Sequence, residues 1–150
     1  MCVDFSLIYN HPELASTRTK LDPSADRVAS LSDTVGDYRR AFVLFCDLMH
    51  ATPEVQEKHI HDQVIMAKSF FDFFYWSIIG LRSLQSNKPG ICYANGSYFP
   101  MEKELPDLKG CASYCHSHLN EPVRALDLTN DEQAVFAYLA CFIHGRVVKG

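Results

Sequence analysis

Two short histidine clusters offer the most direct chemistry in this chain: His59-Ile60-His61-Asp62 and His116-Ser117-His118. Imidazole and carboxylate groups close in sequence suit a divalent metal, and a metal-activated water would make a small helical hydrolase. Helical zinc sites, however, space their histidines four apart so that both rings share a face, or recruit further ligands downstream. Residues two apart on a helix point to different sides, so neither cluster has that geometry. Cys115-His116 places a thiol beside an imidazole, the pair a cysteine nucleophile needs, yet helical neighbours do not face each other. The sequence has no Gly-rich phosphate loop, nucleophile elbow or paired-carboxylate motif. The expectation is a non-enzyme with no catalytic residue, no metal and no cofactor.

Arg82 is the remaining chemical anchor. It ends an apolar stretch, where a guanidinium must meet a carboxylate, a carbonyl or a ligand because an unpaired buried charge is very costly. The inward faces of two long helices and a hairpin would surround it with Tyr38, Phe42, Phe45, Phe71, Tyr75, Ile79 and Tyr98. Apolar walls with one convergent charge suit a lipid-like acid or a sterol. The same side chains would serve equally as plain core with Arg82 paired internally, and both readings stand.

Those residues need helices to position them, and the periodicity supplies candidates. Residues 1–32 are polar and punctuated by Pro12 and Pro23, which reads as a loosely ordered lead-in. From Asp33, the positions Val35, Tyr38, Phe42, Phe45 and Met49 recur at helical spacing until Pro53. A second helix is predicted from an Asp62 cap to Leu84. It is apolar on more than one face and so belongs in the interior. The run Tyr93 to Phe99 encloses Asn95-Gly96, a dipeptide whose tolerance of positive φ predicts a tight hairpin. Beyond Pro106, Leu108, Cys111, Cys115, Leu119, Val123 and Leu126 mark an amphipathic helix that Pro122 would break. Thr129-Asn130-Asp131-Glu132 is a capping box opening a last helix through Phe142, with Gly145 as its stop.

Composition limits the function class. The chain has 150 residues, 47% hydrophobic and 12% aromatic, enough for a real core, and a net charge of −4 with no basic stripe. Direct nucleic-acid binding is therefore not expected. The apolar run Ser69 to Leu81 contains Asp72 and is shorter than the roughly 20 uncharged residues of a membrane span. No basic leader precedes an apolar stretch at the start, so the chain reads as intracellular. The six cysteines include no CxxC pair and read as reduced thiols.

The order of helix, Pro53, Asp62-Gln63, long apolar helix, small hairpin and capped helix resembles the middle of nuclear-receptor ligand-binding domains. Lys68 falls at the spacing of that family's signature region. The ungapped register places Arg82, followed by Ser83, on the family's fifth-helix arginine, which faces the ligand cavity. Leu126 through Phe142 resembles the start of its eighth helix. The likeness covers about residues 33 to 144 and is nearest to the divergent nematode-type receptors.

The resemblance implies an all-α, ligand-binding-domain-like helical sandwich with one small β-hairpin. Residues 33–150 would form that partial domain, incomplete at the carboxy terminus. It implies a role in transcription regulation and hormone signalling, in the nucleus and cytoplasm. The partners implied are a lipid-like ligand at the Arg82 cavity, a coregulator helix in a groove of Cys46, His50, Gln63, Val64 and Lys68, and a receptor dimer partner. In the family a lysine near the end of the third helix clamps that coregulator helix. His50 stands there in this chain, and the glutamate-bearing final helix is not in the sequence. An unrelated all-α interaction domain, or a small metal-dependent helical enzyme, remain the alternatives.

Overall fold

The computed structural model describes residues 4–86, 88–102 and 110–142. Two long helices form its frame: α2 spans Leu31–Ala51 and α4 spans Ile60–Leu84, joined through a short α3 at Pro53–Gln56. α2 starts two residues before Asp33 because Ser30 is its cap. The Ser30 side chain accepts from the Asp33 amide, and the Asp33 carboxylate accepts from the Ser30 amide. Its Phe42, Phe45 and Met49 are buried as the periodicity predicts, and Cys46 with them, whereas Val35 and Tyr38, nearer the amino end, are 43% and 42% exposed.

Asp62 is not the cap of α4. That place belongs to His59, whose ring nitrogen accepts from the His61 amide. By length and composition α4 could cross a membrane. Here its Phe71, Phe74, Tyr75, Ile78 and Ile79 are buried in one hydrophobic cluster with α2 and the hairpin.

The hairpin consists of β2, Gly90–Cys92, and β3, Asn95–Pro100, paired antiparallel with Ile91 opposite Phe99 and Cys92 opposite Tyr98. The tight two-residue turn expected at Asn95-Gly96 is not what forms. Tyr93 donates to the Ser97 carbonyl, leaving Ala94, Asn95 and Gly96 as a three-residue loop in which Gly96 takes the positive φ, +74°. A Cβ at Gly96 would also collide with the Asp22 carboxylate, so glycine is required twice over.

Asp22 belongs to the largest departure from expectation. The lead-in folds into α1, Phe5–Asn10, a 3₁₀ turn at Pro12–Leu14, and strand β1, Asp22–Val28, which lies parallel to β3 and makes the sheet three-stranded. Neither element could be read from side-chain periodicity. A six-residue helix is too short to hold by itself and depends on the packing of Phe5, Ile8 and Tyr9. In β1 only Ala25 is buried, and backbone bonds such as Asp22 to Ala94 and Ala29 to Tyr98 hold it in place.

Asp33 ties these pieces together: besides capping α2 it receives Arg27 of β1 at 2.7 and 2.8 Å and the Asn95 amide at 2.8 Å. The Arg27 guanidinium first, then the Ser30 amide and hydroxyl, hold its carboxyl well below the usual range. A depressed carboxylate stabilises fully above its ordinary value and progressively less as pH falls below it. Asp33→Ala is therefore expected to cost about 1–2 kcal/mol at neutral pH. The gap from wild type in urea melts should narrow between pH 5 and 3, and a gap that ignored pH would refute this account.

The segment after Gly110 runs as α5, Cys111–Cys115, a π-turn at His116–Asn120, and α6, Glu121–Ala125. Pro122 does not break it, because the widened turn just upstream lets the helix pass a residue that lacks an N–H. Leu119 packs against Gly80 of α4, and Asn120 donates to the Gly90 carbonyl at 3.0 Å. Pro106 and Leu108 lie outside the described residues. α7, Asn130–Ala140, opens with the expected capping box, Thr129 and Glu132 bonding reciprocally, and ends five residues before the expected stop at Gly145, which is also outside the described residues.

Candidate functional site

Arg82 is spoken for. Its Nη1 lies 3.0 Å from both carboxylate oxygens of Asp37 on α2, with side-chain exposures of 10% and 0%. Asp37 Oδ1 also accepts from the Ala94 amide at 2.8 Å, so one carboxylate joins α2, α4 and the hairpin loop. Of the two readings left open for Arg82, internal pairing is the one found. What remains of its accessible surface borders a wide depression shared with Arg40, Leu44 and the start of α7.

A separate apolar cavity of about 440 Å³ opens beside this pair, within the size range of small-molecule sites. Thr34, Val35 and Tyr38 of α2 form one wall, Asp72, Tyr75, Trp76 and Ile79 of α4 the second, and Ile91, Tyr93 and Phe99 of the hairpin the third. Of the residues expected to line a ligand site, Tyr38, Tyr75 and Ile79 do so. Phe45 is fully buried in the core, packed on Phe71 and Phe74. Phe42 and Phe71 border another cavity of about 390 Å³ under α1, with Phe5 and Ile8. Tyr98 stands outside the cavity, its ring beneath the Lys88 ammonium.

The edge of the cavity carries one carboxylate, that of Asp72. Tyr38 donates its phenol proton to Asp72 Oδ1 at 2.8 Å, and burial followed by that carboxylate pushes the phenol up to about 12. Burial and then the charge of Asp37 push Tyr75 upward as well. Asp72, Thr34, Trp76 and the hairpin residues escaped sequence reasoning. Asp72 and Trp76 sit four apart on α4, so a helical wheel shows them on one side, but not that this side faces α2.

The five residues of the expected helix groove do come together, but α1 covers them. Tyr9 is fully buried there, its hydroxyl donating to Gln63 Oε1 at 3.1 Å and its ring standing edge-on to His50 at 4.8 Å. The Lys68 ammonium lies 5.2 Å over the Phe5 ring, while Val64 and Cys46 are buried beneath. Burial drives the Cys46 thiol up to about 12 and lowers His50, leaving both neutral at physiological pH. Gln63 also donates to the Lys58 carbonyl, so it serves the turn before α4. Among the described residues no group of three histidine, cysteine or acidic side chains is placed to hold a metal ion.

No protein-family model matches the chain, and no solved structure matches it. Curated proteins do match, among them two of Caenorhabditis elegans. "Nuclear hormone receptor family member nhr-61" is 34% identical over 147 residues, which cover 91% of this chain and 36% of the relative. "Nuclear hormone receptor family member nhr-4" is 30% identical over 142 residues, 92% of this chain and 29% of the relative. The chain thus spans about a third of the length of the curated relatives it matches.

Proposed function

We propose that this chain, a divergent relative of the nuclear hormone receptors with a ligand-binding-domain-like helical fold, is a regulatory module of a transcription factor that holds a lipid-like small molecule. The observation that carries the ligand reading is the 440 Å³ apolar cavity enclosed by α2, α4 and the hairpin. Its walls come from three separate elements, so an occupant would bear on their relative placement, which is how a ligand can bias a fold between states. The role assigned is regulatory and nuclear, with no reaction of its own.

A second reading rests on α1. The α2–α4 face already accepts a short apolar helix in cis, through Phe5 and Tyr9, and a coregulator helix of similar character would fit the same place. A receptor dimer partner is a further candidate that the nuclear-receptor relatives suggest.

Native mass spectrometry of the purified chain, with organic extraction of anything retained, tests the ligand reading. A lipid-sized mass on wild type that is lost in Val35→Trp, a substitution at the exposed rim that fills the mouth, is the expected outcome. A bare wild-type protein that also fails to take up added hydrophobic probes would sink it.

A further inference from the structure

The cavity differs from an acid-binding pocket in one respect: none of the ten residues that line it is cationic. Arg82, the expected counter-ion, is paired with Asp37 and does not line the cavity. The single charged group at the cavity is Asp72, an acceptor. Tyr38 has spent its proton on that carboxylate, so its oxygen also faces the cavity with lone pairs only. Thr34 donates to Tyr93 or to the Ser30 carbonyl, which uses its proton as well. The hydroxyls of Tyr75 and Tyr93 and the indole N–H of Trp76 are neutral donor groups in the lining, each too weak to offset a carboxylate.

We propose that this site selects an amphiphile whose polar end is a hydrogen-bond donor, an alkyl ammonium or an alcohol, and rejects a carboxylate. The inference rests on the ligand reading above and specifies its chemistry. The tail lies along Tyr75, Ile79, Ile91 and Phe99. The head sits at the mouth, where Asp72 and Tyr38 accept from it. A fatty acid placed the same way would set two carboxylates side by side within an apolar rim, in a chain whose net charge is already −4. Because Asp72 is exposed, solvent screens the attraction, and the preference is moderate.

Trp76 makes the test specific, since it is the only tryptophan in the chain and stands at this cavity. The full chain is titrated at pH 8 with dodecylamine, dodecanol and dodecanoic acid, each below micelle formation, and Trp76 emission is followed. The expected order is amine, then alcohol, then acid, with amine and acid separated by about tenfold. Asp72→Asn should collapse that separation to about twofold or less. Glu57→Gln, which removes an exposed charge far from the cavity, should leave it intact. An acid that binds as tightly as the amine, or an Asp72→Asn variant that keeps the full separation, overturns the charge preference and leaves the ligand reading standing. If none of the three alters Trp76 emission, the ligand reading fails and this inference with it.

Discussion

Asp37→Ala is expected to lower the stability of the fold by about 3–5 kcal/mol, because it strands a guanidinium in a site that is 10% exposed. It also orphans the Ala94 amide, which the same carboxylate accepts. Arg82→Ala should cost a comparable amount, since it leaves the fully buried carboxylate without its partner. The double variant Asp37→Leu, Arg82→Met should recover most of the loss, because an uncompensated charge costs more than a missing pair. What it cannot recover is the Ala94 bond, about 1–3 kcal/mol. Urea denaturation of the four proteins measures all of these terms. If Arg82→Ala were thermodynamically silent but abolished retention of a small molecule, Arg82 would be the ligand residue implied by the family resemblance, and the pairing seen here would be incidental.

Tyr9→Ala is the second large effect. A fully buried aromatic truncated to alanine typically costs about 3–5 kcal/mol, and Tyr9 joins α1 to both α2 and α4. Tyr9→Phe keeps the ring and loses only the bond to Gln63, so about 1 kcal/mol is expected. The pair of variants separates packing from the hydrogen bond. Should Tyr9→Ala cost less than about 1 kcal/mol in global unfolding while the α1 amides become open to exchange, α1 would be a detachable cover. The groove of His50, Gln63 and Lys68 beneath it would then be available to a helix from elsewhere.

How much of this was legible in the sequence depends on the scale of the determinant. The two long helices and α7 follow from apolar spacing and from caps that act within four residues, as at Thr129 and Glu132. The hairpin was legible as a hairpin, but its loop was not, because Asn-Gly fits both a two-residue and a three-residue connection, and only the Tyr93 to Ser97 bond shows which one forms. β1 and α1 were not legible: their stability comes from β3, α2 and α4, far along the chain; β1 has no apolar period, and in α1 the helical spacing of Phe5, Ile8 and Tyr9 lasts little more than one turn. Arg82 was correctly singled out as a residue in need of a partner. α2 offers Asp33, Asp37 and Asp47, and only the observed packing selects Asp37, which stands four and eight residues before the buried Ala41 and Phe45. The groove residues lie under α1, which belongs to the stretch expected to be loose.

The Asp37 carboxylate has one further consequence, for the shape of any occupant. It pins α4 through Arg82 and the hairpin loop through Ala94, and its own helix is the remaining wall. The three walls of the cavity are therefore bolted at one point and cannot spread apart without breaking a buried ion pair. Girth is thus restricted, because the exposed residues of the slot, Val35, Tyr38, Asp72 and Trp76, all lie on the two bolted helices. A slender chain fits between these walls, whereas a broad fused-ring skeleton would have to break the bolt to enter.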